Sequence, residues 1–208
     1  MKTIIALIRS VSGMIDLKFD DNTTLSIDRN IVEKSGLKVS QRIDDGTLDK
    51  LLSEADGAKC YDAALRYLDF RSRSVDELKR HLLSKHIYST AVIDRTIERL
   101  KNSKLLDDTA FAKAWVNDRI RYKPKSRLMI QRELMQKGIS EDNIADATTG
   151  IDDVASAYQA GLKKAKLLRS EDHLKFSIHL SAYLGRRGYS GEVVRSVVNK
   201  LWLEMAGK

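Results

Sequence analysis

Three stretches of the chain repeat one another at intervals of about fifty residues, which restricts the fold more than any other feature. A shift of 52 positions superposes Ser74 on Ser126, Leu78 on Ile130, Leu82 on Leu134, Lys85 on Lys137, Ile87 on Ile139 and Val92 on Ile144. A further shift of 50 carries Ile130 onto Leu180, Leu134 onto Leu184, Lys137 onto Arg187, Gly138 onto Gly188, Ile139 onto Tyr189 and Ile144 onto Val194. Two apolar residues four apart mark the inward face of a helix. A basic residue follows, in the last turn where the helix dipole favours positive charge, and an apolar anchor lies beyond the stop. Gly138 and Gly188 fall where a left-handed residue closes a helix, and His86 occupies that place in the first unit. The spacing exceeds the 34 residues or so of tetratricopeptide units and accommodates three short helices. A unit this small buries little core alone, so neighbours must complete one another.

Each unit reads as amphipathic helices separated by polar caps. In the first, Tyr61, Ala64, Leu65 and Leu68 form one stripe, and Ser74 with Glu77 form a capping box that starts the second helix. A third runs from about Ser89, with Ile93, Ile97 and Leu100 inward. The adjacent acids Asp107–Asp108 and Asp152–Asp153 precede apolar helical patterns and read as caps. Upstream, Thr3 to Ser10, the alternating Ile15, Leu17 and Phe19, and Leu25 with Ile27 read as a small β-meander with turns at Ser12-Gly13 and Asp20-Asp21-Asn22. Asp28 caps a short helix through Lys34 that ends near Gly36, and another starts at Asp45 with Leu48, Leu51, Leu52 and Ala55 inward. Gly57 is expected to be a hinge. The expectation is therefore a mainly α protein: a tandem array of three three-helix repeats, elongated and curved, with a small N-terminal β-containing (α+β) region. The parts are residues 1–57, 58–105, 106–150 and 151–208.

The net charge of +8 is unevenly divided. Residues 1–57 hold eight basic against ten acidic side chains, 58–150 nineteen against thirteen, and 151–208 ten against six. The excess in the helical array points to an anionic or acidic partner. No run approaches the roughly eighteen apolar residues of a membrane span, and the single Cys60 supplies neither a disulfide nor a multi-cysteine metal site, so a cytoplasmic protein is expected. His81, His86, His173 and His179 lack the i, i+4 spacing of two ligands on one helix face. Gly161 before Lys163 and Lys164 lacks the remaining glycine and hydroxyl of a phosphate-cradling loop. No catalytic group, metal site or cofactor is expected.

The densest feature is DRIRYKPKSRLMIQR at 118–132, which sets Arg119, Arg121, Lys123, Lys125, Arg127 and Arg132 against the acid Asp118. Pro124 should end a helix there, so that these side chains fan out from a loop and two flanking turns. Arg66, Arg71, Arg73, Lys79 and Arg80 surround the equivalent junction in the first unit. Two such clusters at equivalent junctions favour a polyanionic or acidic partner, and stacking of the units is expected to line them along one groove. Tyr122, between Arg121 and Lys123, is the aromatic best placed to meet a base or a partner. Phe111, Trp115 and Trp202 read as core.

The segments SRSVDELKRHLLSKHI at 72–87, LLDDTAFAKAWVNDRIR at 105–121 and KPKSRLMIQRELMQKGI at 123–139 resemble the RecX family, most closely over residues 58–150. The basic pair Arg186 and Arg187 fits the pattern in the third unit, whose first helix, from about Asp153, matches least. Ser72 stands where the family usually has proline and His86 where it usually has glycine, which should leave the first unit less rigid. The resemblance implies tandem three-helix repeats without catalytic activity. It further implies a regulator that binds the filament of the recombinase RecA on DNA and restrains its ATP hydrolysis and strand exchange in recombination and repair; a monomer is expected. The candidate contact residues are Arg71, Arg73, Lys79, Arg80, Arg119, Arg121, Tyr122, Lys123, Lys125, Arg127, Arg132, Arg186 and Arg187. A stand-alone nucleic-acid-binding helical repeat protein is the alternative.

Overall fold

A computed structural model describes residues 1–9, 14–168 and 172–206. The chain forms two compact units, one of Met1–Arg73 with Leu78–Leu106, the other of Ser74–Glu77 with Asp107–Lys208.

The first unit opens with strands β1 (Lys2–Arg9), β2 (Met14–Phe19) and β3 (Thr24–Asp28), joined later by β4 (Arg42–Ile43) in the order β3-β2-β1-β4. All neighbours are antiparallel. The period-two pattern places Ile15, Leu17 and Phe19 on one buried face beside Ile4 and Ile27. The meander is as expected, while β4 was too short to read; the Ser12-Gly13 turn lies outside the described residues. Helix α1 (Arg29–Lys34) is capped by Asp28, which accepts from the Asn30 N–H. Gly36 closes it at φ +60°.

Helix α2 spans Asp45–Asp69 without a break, with the Asp44 carboxylate accepting from the Thr47 N–H at its start. Gly57 is therefore not a hinge. Leu51 and Ala55 are buried on one face before it and Cys60 and Ala64 on nearly the opposite face after it, so burial holds the helix on both sides of a glycine costing about 1 kcal/mol relative to alanine. Cys60 is fully buried, and burial pushes its thiol up, as suits a small core residue. Helix α3 (Val75–Leu83) begins in the second unit and continues in the first, followed by α4 (Thr90–Asn102), whose cap Ser89 accepts from the Val92 N–H.

The second unit continues with α5 (Asp108–Tyr122), α6 (Arg127–Gln136) and α7 (Glu141–Thr148), then α8 (Asp153–Leu167), α9 (His173–Gly185) and α10 (Gly191–Ala206). The repeat columns become core columns. Leu78, Ile130 and Leu180 are wholly buried, as are Leu82, Leu134 and Leu184. Ile139 and Tyr189 are buried too, but their counterpart Ile87 is 66% exposed, against the expected inward anchor.

The glycine turns explain that difference. Gly138 has φ +73°, and a Cβ there would lie 2.3 Å from the Cβ of Asp76. Gly188 has φ +86°, and its Cβ would lie 2.6 Å from Met129 Cγ and 2.7 Å from Ser126 Oγ. The start of α3 thus docks on the turn after α6, and the start of α6 docks on the turn after α9. In the first docking the Ser74 hydroxyl donates to the Lys137 carbonyl at 2.6 Å. In the second the Ser126 N–H donates to the Arg187 carbonyl at 3.0 Å. Lys137 and Arg187 stand beyond the last helical turn rather than in it, and their carbonyls are what the docking uses. In the first repeat the same turn, Lys85 to Ile87, is exposed, and His86 holds the left-handed conformation at φ 55°.

The paired acids divide their labour at these dockings. Asp107 caps its own helix by accepting from the Ala110 N–H, while Asp108 accepts from the Val75 N–H at 2.9 Å. Asp152 likewise accepts from Val154 and Ala155, while Asp153 accepts from the Arg127 N–H at 2.7 Å. Each second acid satisfies a free first-turn donor of a helix in the preceding repeat. The Ser74–Glu77 capping box is present, with Glu77 N–H to Ser74 Oγ at 3.1 Å and Ser74 N–H to Glu77 Oε2 at 3.3 Å. Buried Tyr189 exchanges a hydrogen bond with Ser156 at 2.8 Å, and burial holds its phenol up to about 12.

Gly138→Val should cost roughly 2–4 kcal/mol, combining left-handed strain with the collision at Asp76. His86→Gly, at an exposed turn, should change stability by less than about 1 kcal/mol. Denaturant unfolding of both variants checks the contrast, and equal effects would contradict the docking role of Gly138.

Candidate partner-binding surface

The basic stretch at 118–132 lies on three elements of the second unit. The end of α5 supplies Arg119, Arg121 and Tyr122, the loop broken by Pro124 supplies Lys123 and Lys125, and α6 supplies Arg127 and Arg132. Helix α5 stops at Tyr122 because the residue before a proline is pushed out of the helical region; Lys123 has φ −140° and ψ 66°.

The six cations do not all face outward. Arg119 Nε donates to Glu133 Oε2 at 2.6 Å, the Trp115 indole N–H donates to the same oxygen at 2.9 Å, and Lys125 Nζ donates to Glu133 Oε1. The Glu133 side chain is 16% exposed. Burial pushes its carboxyl up, but the donors from Lys125, Arg119 and Trp115 outweigh burial and hold it below the usual glutamate range. Glu133 lies one residue beyond the basic stretch, so Asp118 is not the acid that matters there.

Trp115 is half-buried rather than wholly in the core. The Arg119 guanidinium and the Lys137 ammonium each lie 4.2 Å from its ring centroid. Lys137 Nζ also pairs with Glu77 Oε1 at 2.9 Å. Glu77, Lys137, Trp115, Glu133, Arg119 and Lys125 therefore form one connected polar ladder, in which every charge has an opposite charge or an aromatic face. The ladder immobilises the root of the basic loop.

What remains outward is Arg121, Lys123, Arg127 and Arg132, all exposed, with Tyr122 at 67% exposure. The Arg121 guanidinium lies 5.4 Å from the Tyr122 ring centroid. Exposed Ile120 and Leu128 flank this group, so the surface offers charge, an aromatic ring and apolar area together.

The other predicted positions are dispersed. In the first unit Arg73 lies 4.2 Å over Tyr67, whose ring stacks on His81 at 3.7 Å. Burial, with the nearby charges of Lys85 and Arg73, lowers the His81 pKa. Lys79 pairs with Asp94 at 2.7 Å, and Arg71, Arg80 and Arg66 are exposed. In the third repeat Arg187 lies 4.0 Å over Tyr183, whereas Arg186 is exposed. The Nε atoms of Arg73 and Arg187 are buried without a hydrogen-bond partner. The residues that sequence reasoning missed are Glu133, Lys137 and Glu77. Glu133 required counting charge one residue further, whereas the Lys137–Glu77 pair spans 60 positions and had no local signal.

Among the described residues no helix is long and apolar enough to cross a membrane. The family model for the first three-helix domain of RecX matches residues 60–100, and that for the second three-helix domain matches residues 107–147. The regulatory protein RecX of Chlorobium phaeobacteroides (strain BS1) is 34% identical over 151 residues, covering 73% of this chain and 99% of the relative. That of Clostridium perfringens (strain SM101 / Type A) is 28% identical over 192 residues, covering 90% of this chain and 89% of the relative. A crystal structure of regulatory protein RecX shares the fold with a TM-score of 0.72 at 20% identity, covering 96% of this chain and 100% of that one. The crystal structure of RecX from Lactobacillus salivarius does so with a TM-score of 0.61 at 24% identity, covering 71% and 97%.

Replacing Glu133 by Gln should destabilise the chain by about 1–3 kcal/mol at neutral pH, because two half-buried cations lose their shared anion. The folded-state pKa of Glu133 is depressed, so its stabilisation is present above the unfolded value near 4.5 and fades as pH falls through the lower folded value. Thermal melts of wild type and variant should therefore draw together as pH falls below 4.5 and converge once it is below the folded value. A constant gap down to strongly acid pH would contradict the assignment.

Proposed function

The chain belongs to the RecX family, and on that premise we propose that it is a non-catalytic regulator that binds the RecA–DNA filament and restrains ATP hydrolysis and strand exchange in recombination and repair. The supporting observation is the cation group around Tyr122, held on a root that the Glu133 ladder keeps rigid. Two basic side chains are used internally to fix the loop, and four more are left to a partner. A preorganised charged loop with an aromatic tip loses little side-chain freedom on binding, which favours stoichiometric association. The partner surface it complements is acidic protein, with DNA phosphates as a second contact. The regulator acts as a monomer in the cytoplasm.

A stand-alone nucleic-acid-binding role rests on the same four cations and Tyr122. The two readings differ in their response to salt. Direct phosphate contacts make affinity for naked DNA fall with a log–log slope of roughly 0.9 per neutralised phosphate. Absence of binding to naked DNA at low salt rejects the second reading and leaves the first intact.

The test is DNA-dependent ATP hydrolysis by the cognate recombinase, titrated with this protein. Wild type should lower the rate to a plateau. Reversing Arg121, Lys123, Arg127 and Arg132 to Glu should raise the concentration needed by at least about tenfold with helicity unchanged. An unchanged rate at saturating wild-type protein sinks the proposal, and an equally potent quadruple variant moves the surface elsewhere. Arg119 and Lys125 are kept, because reversing them would disrupt Glu133 rather than test the contact.

A further inference from the structure

One feature of the first unit has no part in the basic loop. A cleft of about 500 Å³ lies between α1, α2 and α4, lined among others by Lys34, Ser35, Ser53, Tyr61, Arg95 and Arg99. This volume suits a small ligand. Three cations line it against one acid, Glu54. Arg95 and Arg99 are one helical turn apart on α4, which sets both on the same face with Val92 and Thr96.

Neither arginine is neutralised by a carboxylate among the described residues. Arg95 is steadied instead by neutral groups, its Nη2 donating to the Ser53 hydroxyl at 2.6 Å and its Nε to the Ala91 carbonyl at 3.3 Å. Arg99 lies 3.8 Å over the Tyr61 ring. A stacked guanidinium without a carboxylate keeps its donors for an anion.

Gly57 gives a second, independent indication. It lines this cleft from the middle of α2, where glycine is the poorest helix former after proline. It has no positive φ, and a Cβ added there would meet nothing within 4 Å. Neither backbone geometry nor packing among the described residues accounts for it. Its effect is to leave the cleft open beside Ala58, where any longer side chain would intrude.

We propose that this cleft is a binding site for the phosphate group of a nucleotide, either free or at the end of a DNA strand, and that Gly57 keeps it open. Two guanidinium groups, the Lys34 ammonium and the hydroxyls of Ser35 and Ser53 supply more donors than one carboxylate can accept, whereas a phosphate offers at least three acceptor oxygens. The partly buried Tyr61 and the Ile31 and Val92 side chains provide apolar wall for the sugar or base. The site is separate from the surface around Tyr122, and its proposal does not rest on recombinase binding.

The experiment is calorimetric titration of the full chain, without recombinase, with thymidine, deoxythymidine monophosphate, inorganic phosphate and a short oligothymidylate with and without a 5′-phosphate. The monophosphate should bind and thymidine should not; binding of only the 5′-phosphorylated strand would assign the phosphate to a strand end. Arg99→Gln and Gly57→Leu should each weaken that binding by at least about tenfold. Gly57→Leu should melt at or above the wild-type temperature, since it improves the helix and fills open space, so its loss of binding would not reflect unfolding. Failure of every phosphate ligand to bind at millimolar concentration overturns the proposal, as does binding that either variant leaves unchanged.

Discussion

The second unit depends on close contact between a helix start and a left-handed glycine turn. At Gly138 and Gly188 the backbone must turn with positive φ and also admit another helix within van der Waals contact of its Cα, a pair of demands that glycine alone meets. Once that approach is allowed, the rest follows. A Ser hydroxyl or amide reaches the carbonyl beside the turn, and the second member of an acid pair reaches a free amide of the docked helix. The apolar anchor after the turn, Ile139 or Tyr189, is then buried. Polar groups at helix ends, usually a cost when buried, here form the joint.

The same joint positions the candidate surface. Glu77 lies in the docked turn of α3, and its pairing with Lys137 places a cation over Trp115. Trp115 in turn donates to Glu133, which gathers Arg119 and Lys125. The basic loop is thus tied to repeat docking through side chains as well as backbone. The contacts from the docking turn to the loop are continuous, so the loop's geometry depends on residues outside its own sequence.

Features governed by nearest neighbours along the chain were readable from the sequence. The alternation of Ile15, Leu17 and Phe19, the caps at Asp28, Ser89, Asp107 and Asp152, the Ser74–Glu77 box and the left-handed Gly138 and Gly188 all rest on contacts within a few residues. The misreadings arose where distant residues decide. An isolated glycine such as Gly57 weakens a helix, but the residues buried before and after it, on opposite faces, outweigh that. Ile87 was assigned inward because its column is buried in the other repeats, although its turn lacks the docking that buries Ile139 and Tyr189. Arg119 and Lys125 read as outward cations because their neutralising acid, Glu133, stands just past the basic stretch and is brought to them by the packing of α6. Repeat superposition identifies equivalent positions, but not equivalent surroundings.

His86 gives the array a direction. A turn that receives a helix start must lack a Cβ, so a histidine there cannot serve as a socket even though it holds the left-handed conformation unaided. The first repeat is consequently a terminus by construction: it contributes a plug, the start of α3, and offers no socket of its own. Duplicating a repeat upstream of it would leave the added unit's helix start undocked, whereas the later joints make no such restriction.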